Sequence, residues 1–288
     1  MTSGRASQSN PQGCATSSVA TDWPIQALLQ AVGQVAPDCA VEVVRHLGST
    51  NTELMRRARD GASSPVLLVA QQQTAGRGRL GRTWHSEATA QPATTPAKST
   101  DAPALTFSIS MPFSPQEWSG LSLAVGVSVA AALHPALGLK WPNDIWLADR
   151  KLAGILIETA AIGNSRYVVV GVGINIAPRN AAGLSTPPAC LQEVLPQVDA
   201  PAALLRVAPA LLLALRQFEA QGFAPFHAAF GARDVLRDRQ VQLSDGACGQ
   251  ACGVDERGAL LVHTSGGMTR VNSAEVSVRP VPAPGGNR

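Results

Sequence analysis

From Leu139 to Ile176 the chain breaks into short β-rich runs separated by the turn pairs Asn143-Asp144, Asp149-Arg150 and Gly163-Asn164. Such connections are too short for crossover helices, so the three or four runs pair as an antiparallel meander. That constraint places Lys140, Asn143, Asp144 and Lys151 on neighbouring strands and turns. Upstream, residues 65–70 are apolar and read as a buried strand, and 42–47 as a short one. Helices are expected over 24–35 after the N-cap Asp22, from Thr50 to about Gly61, from Ser114 to about Leu133, and over 201–222 and 225–233. Thr50-Asn51-Thr52-Glu53 and Ser114-Pro115-Gln116-Glu117 have the form of capping boxes, and Pro209 is expected to kink its helix. Residues 240–243, 249–254, 259–264 and 268–278 read as four small strands that close a small barrel.

The 65–70 strand runs into Gln71-Gln72-Gln73-Thr74-Ala75-Gly76-Arg77-Gly78-Arg79-Leu80-Gly81-Arg82. Arg presents rigid forked donors that match carboxylate and phosphate oxygens. Gly permits positive φ and lets backbone N–H groups approach a ligand closely. The loop is therefore built to hold anions. Its glycines also fit the dinucleotide pattern G-x-G-x-x-G, but a helix should follow, and residues 87–103 are Ala/Thr/Pro/Ser-rich and read as an irregular loop. An Arg/Gly segment that binds RNA non-specifically would repeat with interleaved aromatics; here one copy leaves a core strand.

Composition narrows the classes further. The 288 residues suffice for one large domain or two, and a net charge of +3 is too slight to argue for nucleic acid or a membrane surface. Five scattered cysteines suggest no disulfide framework. Cys248 and Cys252 lack a second Cys/His pair, so zinc is not indicated. The first twenty residues carry no apolar signal core, and no apolar run is expected to reach membrane-span length. A cytoplasmic protein with no membrane partner is the expectation.

Four motifs occur in order: Gly48-Ser49-Thr50-Asn51-Thr52, the Arg/Gly loop, Lys140-Trp141-Pro142-Asn143-Asp144 with Asp149-Arg150-Lys151-Leu152-Ala153-Gly154-Ile155-Leu156, and Gly171-Val172-Gly173-Ile174-Asn175-Ile176. Together they closely resemble the biotin protein ligases over nearly all of residues 25–279. The resemblance implies an α+β fold: a mixed, largely antiparallel sheet with flanking helices, of the class II aminoacyl-tRNA synthetase-like, biotin/lipoate ligase type. It divides the chain into a disordered tail to residue 22, a catalytic biotin/ATP-binding domain over 23–234 and an SH3-like C-terminal domain over 235–288. It implies an enzyme that makes biotinyl-5′-adenylate from biotin and ATP with Mg²⁺, then acylates a lysine on a carboxylase carrier domain. Regulatory relatives begin with a DNA-binding helix-turn-helix; only a polar tail precedes Trp23, so the monofunctional class without specific DNA is expected, and a homodimer stays open. A lipoate ligase and a non-enzymatic biotin sensor or DNA-binding repressor are the alternatives.

Carried over by motif, Ser49, Thr50, Asn51 and Gln73 match positions that bind biotin, whose uncharged ureido ring needs neutral donors and acceptors. Arg77, Gly78 and Arg79 match the loop over biotin and the adenylate phosphate, and Lys151 the lysine that meets carboxylate and phosphate. Arg77, Arg79, Arg82, Trp84, Asn143 and Asn175 are expected on the ATP side. Lys140 and Asp144 join Arg79 and Lys151 as catalytic candidates, with Asp144 also the metal candidate. Trp141 and Trp146 read as core fillers, and His85 as a surface residue.

Overall fold

The computed structural model describes residues 23–85, 102–162, 165–178, 188–244, 246–272 and 278–280. The tail to residue 22, most of the 87–103 loop and the Gly163-Asn164 turn lie outside them. Seven strands form one sheet: β1 (Ala40–Leu47), β2 (Val66–Gln73), β3 (Ala104–Pro112), β4 (Gly138–Lys140), β5 (Asp144–Leu147), β6 (Arg150–Ile162) and β7 (Ser165–Asn175). Their order is β1-β2-β3-β7-β6-β5-β4. β4 to β7 make the expected antiparallel meander. Only β1 and β2 are parallel, and the helix α2 (Thr50–Arg59) joins them.

Alternation along the strands separates the two faces of the sheet. Leu105, Phe107 and Ile109 of β3 and Val168, Val170, Val172 and Ile174 of β7 enter one large apolar cluster. Covering that face are α1 (Ile25–Gly33), α3 (Leu121–Leu133), α4 (Ala200–Gln221) and α5 (Ala224–Gly231). On the opposite face α2 closes a small cluster of Leu54, Met55, Leu68 and Val169. Beyond it β3 and β7 present Thr106, Ser108, Gly171 and Gly173, small residues that leave this face open as a cleft.

Several expectations change. The cap of α2 is Ser49, whose Oγ accepts from the Thr52 N–H, and Thr50 stands inside the helix because its N–H and hydroxyl are directed at Gln73 Oε1. The second capping box does not form. The Ser114 N–H donates to Glu219 Oε1 at 2.7 Å, and α3 starts only at Leu121 after Gly120 at φ +83°. A Cβ on Gly120 would stand 2.6 Å from Phe223 Cγ, so this approach requires glycine. Pro209 lies within α4 without dividing it. By length and composition the 22-residue α4 could cross a membrane, against the expectation of no such run, but 56% of its apolar window is buried here against the protein.

The C-terminal strands are five: β8 (Gln240–Leu243), β9 (Cys248–Val254), β10 (Leu260–Thr264), β11 (Gly267–Val271) and β12 (Val278–Pro280). They pair antiparallel in the order β11-β10-β9-β8-β12, an SH3-like sheet in which the last expected run divides in two. Its inner residues Val241, Ala251, Leu260 and Val262 belong to the same apolar cluster as α3 and α5. The buried Trp141 Nε1 donates to the Gly258 carbonyl at 3.0 Å. Leu139 bonds on both sides to the incoming chain, its N–H to Arg233 O at 2.7 Å and its O to the Val235 N–H at 3.0 Å.

Gly258 has φ +81°, and a Cβ there would lie 2.8 Å from Gly120 Cα. Strain and overpacking together should make Gly258→Ala lower stability by roughly 2–4 kcal/mol. A thermal melt unmoved by the substitution would show that this contact does not hold in solution. Asp234 generates a second prediction. Burial raises its pKa, Oδ2 has no hydrogen-bond partner among the described residues, and Oδ1 accepts from the Leu236 N–H. A carboxyl whose folded pKa is raised contributes stability below its unfolded value, about 3.9, and loses it as pH rises through the folded value. Asp234→Asn keeps the acceptor without the charge. Its Tm relative to the parent should therefore climb as pH rises above about 4, and a pH-independent difference counts against the assignment.

Candidate active site

The open face holds a cleft bounded by the N-terminal end of α2, the Arg/Gly loop and strands β3, β6 and β7. Three of its walls are set by glycine. A Cβ on Gly173 would come 2.3 Å from Trp84 Cε2, and one on Gly154 would lie 3.5 Å from Trp84 Cζ3, so the indole lies against the two strands. A Cβ on Gly171 would come 2.2 Å from Asn51 Oδ1.

The floor is neutral and polar. Thr50, Asn51 and Ser49 are all nearly buried at the start of α2, and Gln73 ends β2 beside them. Gln73 Oε1 accepts from the Thr50 N–H at 2.7 Å. Ser108 Oγ lies 2.6 Å from both Thr50 Oγ1 and Asn51 Oδ1. Asn51 Nδ2 donates to the Leu156 carbonyl at 3.2 Å and to Glu158 Oε2 at 2.9 Å. Such satisfied polar networks hold side chains in one orientation.

Above the floor the loop folds back on itself. The Trp84 N–H donates to Gly76 O at 2.9 Å, and the Gly78 N–H to Arg82 O at 2.7 Å. A Cβ on Gly76 would meet Trp84 O at 2.3 Å, which explains the glycine at this neck. The tip is a short 3₁₀ turn over Arg79–Gly81 with Leu80 at φ +54°, where a dinucleotide site would carry a helix. Arg77 Nη1 reaches Glu158 Oε1 at 3.0 Å, and Arg79 Nη1 reaches Asn143 Oδ1 at 3.3 Å. Burial lowers the Arg79 pKa, which Asp144 opposes and Arg82 reinforces; an arginine nonetheless stays protonated.

Lys151 reaches the cleft through a β-bulge. Ile145 pairs with Ala153 but Trp146 with Lys151, so β6 carries one extra residue there. Leu152 and Ala153 are both buried in the core, and the parity flips. Lys151 Nζ thereby shares the cleft face with Gly154, whose Cβ would lie 3.2 Å away, and it pairs with Asp144 Oδ1 at 2.6 Å. Asn143 acts as a lateral tie, its O accepting from the Ile155 N–H and its Nδ2 donating to Ile155 O at 2.7 Å.

Of the residues expected from sequence, Ser49, Thr50, Asn51, Gln73, Arg77, Gly78, Arg79, Arg82, Trp84, Asn143, Asp144 and Lys151 line this one cleft. Two do not. Lys140 stands on the edge strand β4, with β5 between it and β6; its Nζ lies 5.2 Å from the Trp146 ring centroid, beside a smaller depression that shares Asn143 and Asp144. Asn175 is buried, and its Nδ2 donates to Ala189 O at 2.9 Å, which holds the 188–190 segment beside Lys151. Sequence reasoning missed Thr106, Ser108 and Glu158. The alternation Thr106-Phe107-Ser108-Ile109-Ser110 would have signalled the first two, a strand with hydroxyls along one face. Among the described residues no three His, Cys, Asp or Glu side chains cluster as a metal set.

Residues 43–175 match the Biotin/lipoate A/B protein ligase family, and residues 240–279 the Biotin protein ligase C terminal domain. The chain is 34% identical over 253 residues to the biotin--[acetyl-CoA-carboxylase] ligase of Mycobacterium tuberculosis, covering 82% of this chain and 88% of that one. It is 33% identical over 268 residues to the bifunctional ligase/repressor BirA of Escherichia coli, covering 89% and 79%. Among solved structures, the biotin protein ligase from Aquifex aeolicus in complex with biotin and ATP superposes with a TM-score of 0.68 at 27% identity, covering 84% of this chain and 99% of that one. With both matches, and with relatives above 30% identity spanned over most of their length, the chain belongs to the biotin protein ligase family.

Proposed function

We propose that this chain activates biotin with ATP to biotinyl-5′-AMP and then transfers the biotinyl group to a lysine of a biotin carboxyl carrier domain in the cytoplasm. The observation that carries this reading is the gathering of Arg77, Arg79, Arg82 and Lys151 over a buried, uncharged polar floor in one cleft. A biotin carboxylate oxygen attacks the α-phosphorus of ATP; the new C–O–P bond forms as the bond to pyrophosphate breaks. Two anions must approach while charge grows on phosphorus and leaving group. At roughly 4 Å and an effective dielectric near 20, each well-placed cation offsets on the order of 4 kcal/mol of that repulsion before desolvation. Positioning and electrostatics are therefore the main demands on the protein.

Ser49, Thr50, Asn51 and Gln73 serve the ureido ring, and Arg77, Gly78, Arg79 and Lys151 the carboxylate and α-phosphate. Arg82, Trp84 and Asn143 serve the nucleotide, while Asn175 acts from beneath by holding the segment beside Lys151. Lys140 stands one strand removed, near the approach to Asp144. Mg²⁺ usually takes one or two carboxylates together with substrate phosphates. The single Asp144 carboxylate with the Asn143 amide oxygen fits that donor set, and the ion would neutralise phosphate charge. In the second half-reaction the acceptor amine attacks the anhydride carbonyl, an amide forms and AMP leaves. The division into a catalytic part over 23–234 and a small C-terminal part from 235 is part of this proposal.

Purified protein with Mg²⁺, ATP and biotin should support biotin-dependent exchange of pyrophosphate into ATP and should add one biotinyl group to a carrier domain. Exchange with lipoate but not biotin, or neither exchange nor transfer by mass spectrometry, would sink the reading. Charge-assisted contacts are worth about 1.5–3 kcal/mol, so Lys151→Ala should lower kcat/KM for biotin by roughly 10- to 100-fold. Its fold should persist, since Lys151 is partly exposed. Arg79→Ala should weaken adenylation similarly and also release the adenylate faster, because its loop roofs the cleft. Single-turnover synthesis and adenylate dissociation measure both; parental activity of Lys151→Ala at sub-saturating biotin removes Lys151 from the site.

A further inference from the structure

Resting on the ligase reading for the identity of the ligand, we infer that Glu158 is a positioning residue that couples the Arg/Gly loop to the hydrogen-bond polarity of the biotin pocket. Its two oxygens face two ways. Oε1 accepts from Arg77 Nη1 at 3.0 Å, and Oε2 accepts from Asn51 Nδ2 at 2.9 Å. The side chain is 21% exposed, whereas Arg77 is 52% exposed, so the carboxylate is the inner anchor of a pair whose outer member belongs to the loop.

The consequence runs along a chain of single protons. An amide nitrogen only donates, and both Asn51 donors are directed at Glu158 and the Leu156 carbonyl. Asn51 Oδ1 must therefore face Ser108 and can only accept. A hydroxyl has one proton, so Ser108 gives its proton to Asn51 Oδ1 at 2.6 Å. The Thr50 hydroxyl, 2.6 Å from Ser108 Oγ and 3.1 Å from Gln73 Oε1, then donates to one of those oxygens. In either case Thr50 has no proton left for the cleft. It presents lone pairs, the acceptor that a ureido N–H needs.

A glutamine at 158 breaks this order. One of its two terminal atoms would be an NH₂ that cannot accept from Arg77 or from Asn51. If it faces Arg77 the loop is released; if it faces Asn51 the amide turns and the Ser108 and Thr50 protons are no longer directed. Asn51 occupies the room that the missing side chain of Gly171 leaves, since a Cβ there would come 2.2 Å from Asn51 Oδ1.

The test uses the full chain with Glu158→Gln, Glu158→Asp and Ser108→Ala. In biotin-dependent pyrophosphate exchange, Glu158→Gln should raise the KM for biotin roughly tenfold or more while kcat changes much less. Without ligand, trypsin should cut after Arg77 faster in Glu158→Gln than in the parent, and biotin should protect that bond less. Glu158→Asp, which keeps the charge, should recover most of both properties. Ser108→Ala should raise KM and leave ligand-free cleavage at Arg77 at the parental rate, separating pocket polarity from loop anchoring. Parental KM and cleavage in Glu158→Gln, or a fall in kcat at constant KM, overturns the coupling. A parent without biotin-dependent exchange defeats the ligase reading instead, and the ligand-free trypsin comparison still decides whether Glu158 anchors the loop. Should Glu158→Gln fail to fold by thermal melt, an unchanged KM in Ser108→Ala overturns the polarity chain.

Discussion

Successive side chains of a strand point to opposite faces, and in β3, β6 and β7 that alternation governs the site. The odd residues of β3 and the even residues of β7 fill the core beneath α3 and α4, so their neighbours have no choice but to face the other way. Those neighbours are Thr106 and Ser108 on one strand and Gly171 and Gly173 on the other. Hydroxyls and bare backbone make a shallow face that apolar side chains would have filled. The small residues leave room for the Trp84 ring and Asn51, and the remaining space is the cleft.

A cleft lined by four cations would repel itself when empty, and the structure answers with two carboxylates. Asp144 pairs with Lys151 at 2.6 Å, and Glu158 pairs with Arg77 at 3.0 Å. Both pairs are partly exposed, where isolated ion pairs add little to stability. Their value is geometric: each holds a long, flexible side chain at the cleft. Arg79, whose pKa burial lowers, instead shares the Asn143 amide oxygen, and Asn143 is itself tied to β6 on both sides. The cations are thus organised before any ligand arrives, which reduces the ordering that binding must impose.

The C-terminal sheet contributes through packing. Leu139 bonds to the chain entering that sheet, Trp141 bonds to Gly258, and Arg239 pairs with Asp149 at the turn between β5 and β6. The segment that carries Asn143 and Asp144 is therefore gripped from the side opposite the cleft. A small sheet of five short strands buries little apolar surface alone. Here it shares one apolar cluster with α3 and α5, so the two sheets stabilise each other.

Local chain geometry was legible in the sequence. Short connections allowed only a meander, glycines marked the neck and tip of the loop, and twelve residues expected at the site line one cleft. Those residues were placed without coordinates because the motifs that carry them are local and resemble those of the biotin protein ligases. β3 escaped because its hydroxyls interrupt the apolar run that marks a buried strand, and the capping-box pattern at Ser114 was overridden by the close packing of Gly120 on Phe223. Lys151 was expected at the site from its motif, but only the tertiary structure decided how it gets there, through one extra residue in the β5–β6 register. It also decided that Lys140 stands a strand away, and that Glu158 meets Asn51 across 107 positions. Register and long-range pairing are set by how distant segments bury their apolar faces together, and no local pattern of residues encodes that choice.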